Sequence, residues 1–272
     1  MRVTRERTVC LFFSKMWLTS IFGDQVKVPQ ITSMGLTLSS ERRPVFYFIG
    51  DSITEQGSIL CTSGFINILQ DHYVRSVDCI NRGLSGYNSK WVQKYAMPIY
   101  AKELQTNYSA SFITIFLGAN DAALEHGHDK AQYVSLQDYR TNLQKILQTV
   151  KPLLAPDGQV LLITPPCVID SMRDNDRSNA SAGKYAKVCV DLATAEHVHV
   201  LDLHTYFNTT FPDEHVRKTY FVDGLHFSKK GNEEVGKLLG IAINGIFDRE
   251  EVDKFNKWQL PDWHDLVPHA EA

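Results

Sequence analysis

The chain has 272 residues, which is long for one average domain but within the range in which an α/β fold closes as a single unit. Hydrophobic residues make up 43% of the chain, so a large core can be built. The formal net charge of -3 is too small to favour a nucleic-acid binder or a polyanionic tail.

Residues 1–43 differ from the rest of the sequence in their excess of basic residues. They carry Arg2, Arg5, Arg7 and Lys15 against the single acidic residue Glu6. The apolar run is interrupted and lacks a small-residue cleavage pattern, so it does not favour a secretory signal, and it is too short to span a bilayer. We expect a leader that is disordered or docked, with organelle targeting as the alternative, and a single folded domain over residues 44–272.

The cysteines and sequons bear on the compartment. The odd number of cysteines, with no CxxC spacing, favours reduced thiols. These cysteines are Cys10, Cys61, Cys79, Cys167 and Cys189. Sequons occur at Asn107, Asn179 and Asn208, which is weak evidence for secretion. A cytoplasmic protein is the simpler expectation.

From Pro44 onward, short apolar runs alternate with longer amphipathic segments. The apolar runs predict strands at Val45–Ile49, Val77–Ile80, Phe112–Leu117, Val160–Ile163 and Val198–Leu203. The amphipathic segments predict helices at Phe65–Val74, Lys90–Leu104, Leu136–Val150, Ala182–Glu196 and from about Lys229 to Phe247. Pro98 should kink or divide the second helix. The tail from Lys254 is expected to pack as an irregular strap or to join an oligomer contact such as a homodimer.

This alternation predicts the fold class. Strands that are apolar almost throughout belong to parallel sheets covered by helices on both faces. Right-handed crossovers then favour a three-layer α/β/α sandwich with about five strands. Ligands bind beyond the carboxyl ends of the strands in such sheets, so the loops that follow the strands are where chemistry is expected.

The loop after the first strand carries Gly50-Asp51-Ser52. A serine at the start of a helical turn exposes its hydroxyl and points its backbone N–H outward. A helix cap is the simpler explanation of a lone serine. Asp51 is expected to brace the turn.

Two further loops carry residues that suit a ligand site. Asn81–Gly86 follows the second strand, and its glycines allow a close backbone approach to a ligand. In Gly118–Asp121, after the third strand, Asn120 could aim its side-chain amide at a developing oxyanion. An ordinary turn and a helix cap are the alternatives.

Asp223 and His226 lie just before the last predicted helix. An aspartate can accept a hydrogen bond from Nδ1 of a histidine three residues later, which leaves Nε2 free to take a proton from a serine. A surface turn or a pair of metal ligands are the alternatives, although no third His or Cys has a comparable spacing.

Together the four loops resemble the GDSL, or SGNH, hydrolase superfamily. The matching stretches are FIGDSITEQGS, NRGLSGYNSKW, IFLGANDAAL and VDGLHFSKKGN, in the order of the family. The resemblance implies the flavodoxin-like SGNH fold. It makes Ser52 the nucleophile, Asp223 and His226 the rest of a triad, and Ser52, Gly86 and Asn120 the oxyanion hole.

Within the superfamily, the chain is most similar to isoamyl acetate-hydrolysing esterases. The stretches DHYVR and ITPPCVID add to this resemblance, although Cys167 replaces the third proline expected after Pro166, and Ile53 stands where the family name has leucine. The resemblance implies a serine esterase acting on small carboxylic esters without a metal or organic cofactor.

The loop after the fourth strand is expected to form one wall of the substrate site. Its candidate apolar contacts are Cys167, Val168, Ile169 and Met172. The expected partner is a small-molecule ester, with no nucleic acid and no stable membrane insertion. The alternatives are an SGNH lysophospholipase, thioesterase or carbohydrate deacetylase, or a flavodoxin-like binding or scaffold protein.

Overall fold

A computed structural model describes residues 42–266 of the chain. Apart from Arg42 and Arg43, the predicted leader lies outside the described residues, as does Cys10. The other four cysteines are free thiols. No helix in the described part of the chain has the length and hydropathy needed to cross a bilayer.

Five parallel strands form one sheet, which confirms the predicted fold class. The strands are β1 (Val45–Asp51), β2 (Asp78–Leu84), β3 (Ala110–Phe116), β4 (Leu154–Ile163) and β5 (His199–Leu201). Their order across the sheet is β2-β1-β3-β4-β5. Every residue of β1 is buried, as expected for a strand covered on both faces.

The helices follow the strands in alternation. They are α1 (Ser52–Gln56), α2 (Phe65–His72), α3 (Ser89–Trp91), α4 (Met97–Thr106), α5 (Leu136–Val150), α6 (Asn179–Glu196), α7 (Leu203–Thr210), α8 (Glu214–Arg217), α9 (Lys229–Ile246), α10 (Arg249–Asn256) and α11 (Trp263–Leu266). The predicted helices at residues 65–74, 136–150, 182–196 and 229–247 are present with small shifts at their ends.

The sheet divides the core into two parts because successive strand residues point to opposite faces. Phe46 and Phe48 of β1 pack with α2, α7, α9 and α10 on one face. Tyr47 and Ile49 pack with α4, α5 and α6 on the other. This arrangement is the predicted three-layer sandwich.

The helix around Pro98 is divided, as predicted. A π-helical segment, Val92–Ala96, joins α3 to α4. Pro98 lies in the first turn of α4, the position in a helix where proline is best tolerated.

The second strand is longer than predicted. Asn81–Leu84 continue the strand, and Leu84 pairs with Asp51, so only Ser85 and Gly86 form the turn. Pairing with the buried β1 outweighs the low strand propensity of asparagine and glycine. The fifth strand is shorter than predicted and contains only residues 199–201.

The prediction of an irregular tail from Lys254 is wrong at its start. Residues 249–256 form α10, which Asp248 caps by accepting a hydrogen bond from the Glu251 N–H at 2.9 Å. Phe255 is 1% exposed, and its ring contacts those of Phe46 and Phe247 edge to face. One buried aromatic side chain therefore anchors a helix whose other residues are mostly charged.

Candidate active site

The carboxyl end of β1 lies at the switch point of the sheet. Its neighbours β2 and β3 are reached by connections that run in opposite directions, and this is where open α/β sheets bind ligands. Ser52 is the first residue after β1 and opens α1. The loops after β2 and β3 therefore flank it.

The hydroxyl of Ser52 is hydrogen bonded to the predicted histidine. Ser52 Oγ lies 2.8 Å from His226 Nε2, and His226 Nδ1 lies 2.7 Å from Asp223 Oδ2. Ser52 is 8% exposed, so its hydroxyl is near the surface but shielded. A serine, a base and an acid are thus in line, an arrangement suited to nucleophilic acyl transfer.

The loop that carries Asp223 and His226 is closed at its base. Phe221 and Phe227 form an antiparallel bridge, and the Val222 N–H donates to the His226 carbonyl at 2.9 Å. The ring of Phe227 stacks on that of Phe207 in α7, with centroids 5.7 Å apart. An aromatic layer beneath the loop therefore fixes the imidazole over Ser52.

Asp223 Oδ1, the carboxylate oxygen that does not face His226, holds the loop in place. It accepts hydrogen bonds from the backbone N–H groups of Leu225 and His226 at 3.0 and 2.8 Å. Burial alone would raise the pKa of Asp223, but the hydrogen bonds from the imidazole and these two amides outweigh it. They hold the pKa well below its usual value. Asp223 is therefore ionised when it faces His226.

Asp51 braces the start of α1, as predicted. Its Oδ1 accepts a hydrogen bond from the Ile53 N–H at 2.9 Å. Asn81 of β2 secures the other end of this short helix, donating to the Thr54 carbonyl at 2.8 Å and to Ser58 Oγ at 2.7 Å. The backbone at Ser52 is thus fixed from both sides.

The two predicted oxyanion residues lie close to each other, in the loops that follow β2 and β3. Gly86 has φ +79°, and its N–H makes no hydrogen bond within the described part of the chain. Asn120 Nδ2 donates to the carbonyl of Tyr87, the next residue, at 2.8 Å. One N–H of this amide is left over, and Asn120 is 4% exposed. A backbone N–H and an amide N–H are therefore available in the loops after the two strands that flank β1.

The predicted substrate wall is mostly part of the core. Cys167, Val168 and Ile169 are at most 3% exposed and pack in the cluster that covers one face of the sheet. Met172 is 37% exposed and lies beside Gly224 in the triad loop. In this conformation Met172 is the member of the set that a ligand can touch.

Two buried carboxyl groups lie beneath the site. Asp121 accepts hydrogen bonds from the N–H and the hydroxyl of Ser89, and burial raises its pKa to about 7. Burial also raises the pKa of Asp51 to about 6, and its Oδ2 has no hydrogen-bond partner among the described residues. The sequence pattern did not reveal either perturbation.

Sequence reasoning missed a set of polar residues that surround the site. Arg173, Asp176 and Arg177 follow β4, and Gln132 precedes α5. Arg177 donates to Asn120 Oδ1 at 2.9 Å, and Arg173 donates to the Asp223 carbonyl at 3.0 Å. The density of charge in RDNDR (residues 173–177), in the loop between β4 and α6, was the sequence signal that could have found them.

The fold is a three-layer α/β/α sandwich, and the site is a hydrogen-bonded set of serine, histidine and aspartate of the kind that serine hydrolases use. Comparison with known families agrees, because the GDSL-like lipase/acylhydrolase family matches residues 48–234. The chain belongs to that family and is a carboxylic ester hydrolase.

Curated relatives include isoamyl acetate-hydrolyzing esterase 1 homologs. The mouse protein is 33% identical over 233 residues, covering 82% of this chain and 88% of the relative. The human protein is 36% identical over 200 residues, covering 70% and 77%.

Solved structures share the fold. A lipase/acylhydrolase from Enterococcus faecalis has a TM-score of 0.56 at 24% identity, covering 75% of this chain and 96% of that chain. An acetyl xylan esterase has a TM-score of 0.60 at 19% identity, covering 73% and 99%.

Proposed function

We propose that the chain hydrolyses short-chain alkyl acetates, such as isoamyl acetate, through an acyl-enzyme on Ser52. The observation that carries the chemistry is the pair of short hydrogen bonds from Ser52 to His226 and from His226 to Asp223. The roles of nucleophile, base and orienting acid follow from this order of contacts.

In the acylation step, Ser52 Oγ attacks the ester carbonyl carbon while His226 Nε2 takes the hydroxyl proton. Asp223 stabilises the imidazolium that forms. The carbonyl oxygen becomes an oxyanion, held by the N–H groups of Ser52 and Gly86 and by the Asn120 amide. Each such donor contributes roughly 2.7–4 kcal/mol in the transition state.

The tetrahedral intermediate then breaks its bond to the alcohol oxygen. His226 gives its proton to that oxygen, and the alcohol leaves. In the second half of the reaction His226 takes a proton from water, whose oxygen attacks the acyl carbon. Ser52 Oγ departs with the proton from His226, and the carboxylic acid is released.

Support for the acetate preference comes from the relatives and from one exposed apolar side chain, not from the triad. Relatives 33–36% identical over most of the chain are named for isoamyl acetate hydrolysis. The exposed Met172 beside the triad loop offers an apolar contact for an alkyl group. Both features suit a small ester with an apolar alcohol.

The test is a substrate series with the whole chain. We expect kcat/KM for p-nitrophenyl esters to fall from acetate to butyrate to octanoate, and isoamyl acetate to be hydrolysed. Ser52→Ala should reduce these rates by at least about 10³-fold and abolish labelling by a fluorophosphonate.

Other outcomes would contradict the proposal in distinct ways. Higher kcat/KM for long acyl chains, acyl-thioesters or sugar acetates would indicate a lysophospholipase, a thioesterase or a deacetylase. Full activity in folded Ser52→Ala would overturn the assignment of the nucleophile. A wild-type protein that neither hydrolyses esters nor reacts with the fluorophosphonate would indicate a binding or scaffold protein.

A further inference from the structure

Arg177 is a buried arginine that belongs to none of the sequence motifs. Its side chain is 2% exposed, and it lies between β4 and α6. Burying a guanidinium is unfavourable unless its N–H groups all find acceptors. The acceptors that it uses therefore indicate what the side chain does.

Two of these acceptors belong to the loop after β3. Arg177 Nε donates to the carbonyl of Ala119 at 2.8 Å, and Nη2 donates to Asn120 Oδ1 at 2.9 Å. A guanidinium has donors and no acceptor, so the amide of Asn120 must turn its oxygen toward Arg177. Its Nδ2 then faces the other way, toward the carbonyl of Tyr87, the residue after Gly86.

The same guanidinium reaches Gly86 through one intermediate side chain. Nη2 also donates to Gln132 Oε1, so the Gln132 amide must point its nitrogen away from Arg177. That nitrogen donates to the Gly86 carbonyl at 3.0 Å. Gly86 has a positive φ and is free to rotate in an isolated peptide, so this bond fixes a turn that would otherwise be soft.

Acidic side chains balance the charge of Arg177. Its Nη1 lies 2.9 Å from Asp176 Oδ2 and 3.0 Å from Asp129 Oδ2. Asp176 also accepts from Arg173 Nε at 3.1 Å, and Arg173 Nη1 donates to the Asp223 carbonyl at 3.0 Å. One series of ion pairs and hydrogen bonds thus runs from Asn120 to the triad loop.

We propose that Arg177 is a positioning residue for the oxyanion hole, which it orients through the amides of Asn120 and Gln132. The inference rests on the roles proposed above for Ser52, Gly86 and Asn120. It adds that the direction of the donors is set by one buried guanidinium that does not touch the substrate. Loss of Arg177 should therefore affect the transition state more than substrate binding.

The test is a double-mutant cycle with Arg177→Met and Asn120→Ala in the whole chain. With p-nitrophenyl acetate, Asn120→Ala should lower kcat by about 10²–10³-fold. Arg177→Met should lower kcat by about 10–100-fold and change KM by less than about threefold, because the donors are displaced and not removed. If Arg177 acts through Asn120, Arg177→Met should have at least about a fivefold smaller effect on kcat in the Asn120→Ala background.

Arg217→Met is the matched control. Arg217 is also a buried arginine, and it donates to the Phe211 and Pro212 carbonyls at 2.7 and 3.1 Å. Its variant shares the general loss of stability that follows from removing a buried arginine, but its kcat should stay within about twofold of wild type. Circular dichroism melts of all variants separate folding from catalysis.

Gln132→Met provides a second route if Arg177→Met does not fold. Gln132 is only half-buried, and the variant removes both the acceptor for Arg177 and the donor to Gly86. We expect kcat to fall by about tenfold with KM little changed.

Three results would overturn the inference. They are an unchanged kcat in folded Arg177→Met, an unchanged kcat in Gln132→Met, and losses in the cycle that simply multiply. These are distinct from failure of the proposed function, which would show as a wild-type protein without Ser52-dependent hydrolysis and would remove the inference as well.

Discussion

At the scale of single residues, Asp223 shows how one carboxylate can both hold a loop and orient an imidazole. One oxygen accepts hydrogen bonds from two backbone N–H groups, and the other accepts a hydrogen bond from His226 Nδ1. Each oxygen therefore has a fixed task, and a neutral amide in its place could satisfy only one of them.

The Asp223→Asn variant is expected to fold normally and to lose most of its esterase activity. The amide oxygen should stay on the two backbone N–H groups, so Nδ2 would face His226 Nδ1. Because Nδ2 of the asparagine is a donor, His226 Nδ1 would have to act as the acceptor, and the ring hydrogen would lie on Nε2. Nε2 could then no longer take the proton of Ser52. We expect kcat to fall by about 10³–10⁴-fold, the scale seen when a triad aspartate is made neutral. A loss below tenfold in steady-state hydrolysis would contradict this role.

The buried carboxyl groups of Asp51 and Asp121 predict a pH dependence of stability. Their pKa values are raised by burial to about 6 and about 7, from the ordinary value of 3.8. Between about pH 4 and 7 the folded chain therefore holds protons that the unfolded chain has released. For these groups the free energy of unfolding should fall as pH rises through that window. Asp223, whose pKa is lowered, contributes stability that is lost only below about pH 4.

Asp121→Asn isolates this effect, because asparagine carries no charge at any of these pH values. Urea unfolding of the variant between about pH 4.5 and pH 8 should show a flatter decline than wild type. Equal slopes in the two proteins would show that Asp121 does not titrate in this range.

At the scale of elements, β2 and α1 are in very close contact at Gly83. A Cβ at this position would lie 2.0 Å from the Glu55 nitrogen and 2.6 Å from its Cα, both backbone atoms that cannot move aside. The absence of a side chain at Gly83 therefore sets the distance between the strand and the helix that begins at Ser52.

Gly83→Ala should push α1 away from the sheet. We expect the free energy of unfolding to fall by about 1–3 kcal/mol or more, as for overpacked cores, and kcat to fall because Ser52 moves with the helix. Gly245→Ala is the matched control, since a Cβ there meets nothing within 4 Å inside α9. That variant should gain about 0.5–1 kcal/mol at unchanged kcat. Equal melting temperatures for the two variants would contradict the argument.

The elements themselves were largely predictable from sequence. The run Val45–Ile49 is short, apolar and rich in aromatic and β-branched residues, which favours a buried strand, and Leu136–Val150 has the periodicity of an amphipathic helix. The extension of β2 through Asn81–Leu84 was not predictable, because pairing with β1 decides it. Likewise α10 depends on the contact between Phe255 and Phe46, which are remote in sequence.

The residues of the site likewise include some that the sequence predicted and one that it did not. Strand ends and the family resemblance predicted Ser52, Asp223 and His226, since their chemistry repeats in a recognisable local order. Arg177 follows no such order, because its partners Asn120 and Gln132 lie 57 and 45 residues away. Residues that act by orienting others become visible only once the chain is folded.

At the scale of the whole molecule, stability and catalysis are anchored at opposite ends of β1. Phe255 packs on Phe46 near the amino end of the strand, while Ser52 follows its carboxyl end. A loss of packing at the amino end should therefore change the free energy of unfolding without displacing the hydroxyl.

Phe255→Ala is expected to lower the free energy of unfolding by about 3–5 kcal/mol, because a fully buried aromatic ring is removed. Below its melting temperature the variant should keep kcat/KM within about twofold of wild type. Trp263→Ala, at a side chain that is mostly exposed, should change stability by no more than about 0.5 kcal/mol. A large loss of kcat/KM in folded Phe255→Ala would show that the two ends of β1 are coupled.

Ser52 and His226 are separated by 174 residues of chain, and this spacing has a consequence for biosynthesis. At about 5–20 residues per second, a ribosome needs roughly 9–35 s to reach the histidine after it has made the serine. Throughout that interval the serine is an ordinary alcohol, so a growing chain cannot attack esters or be trapped by reactive acyl groups. Reactivity toward a fluorophosphonate would then mark the moment at which synthesis and docking of the last loop are both complete.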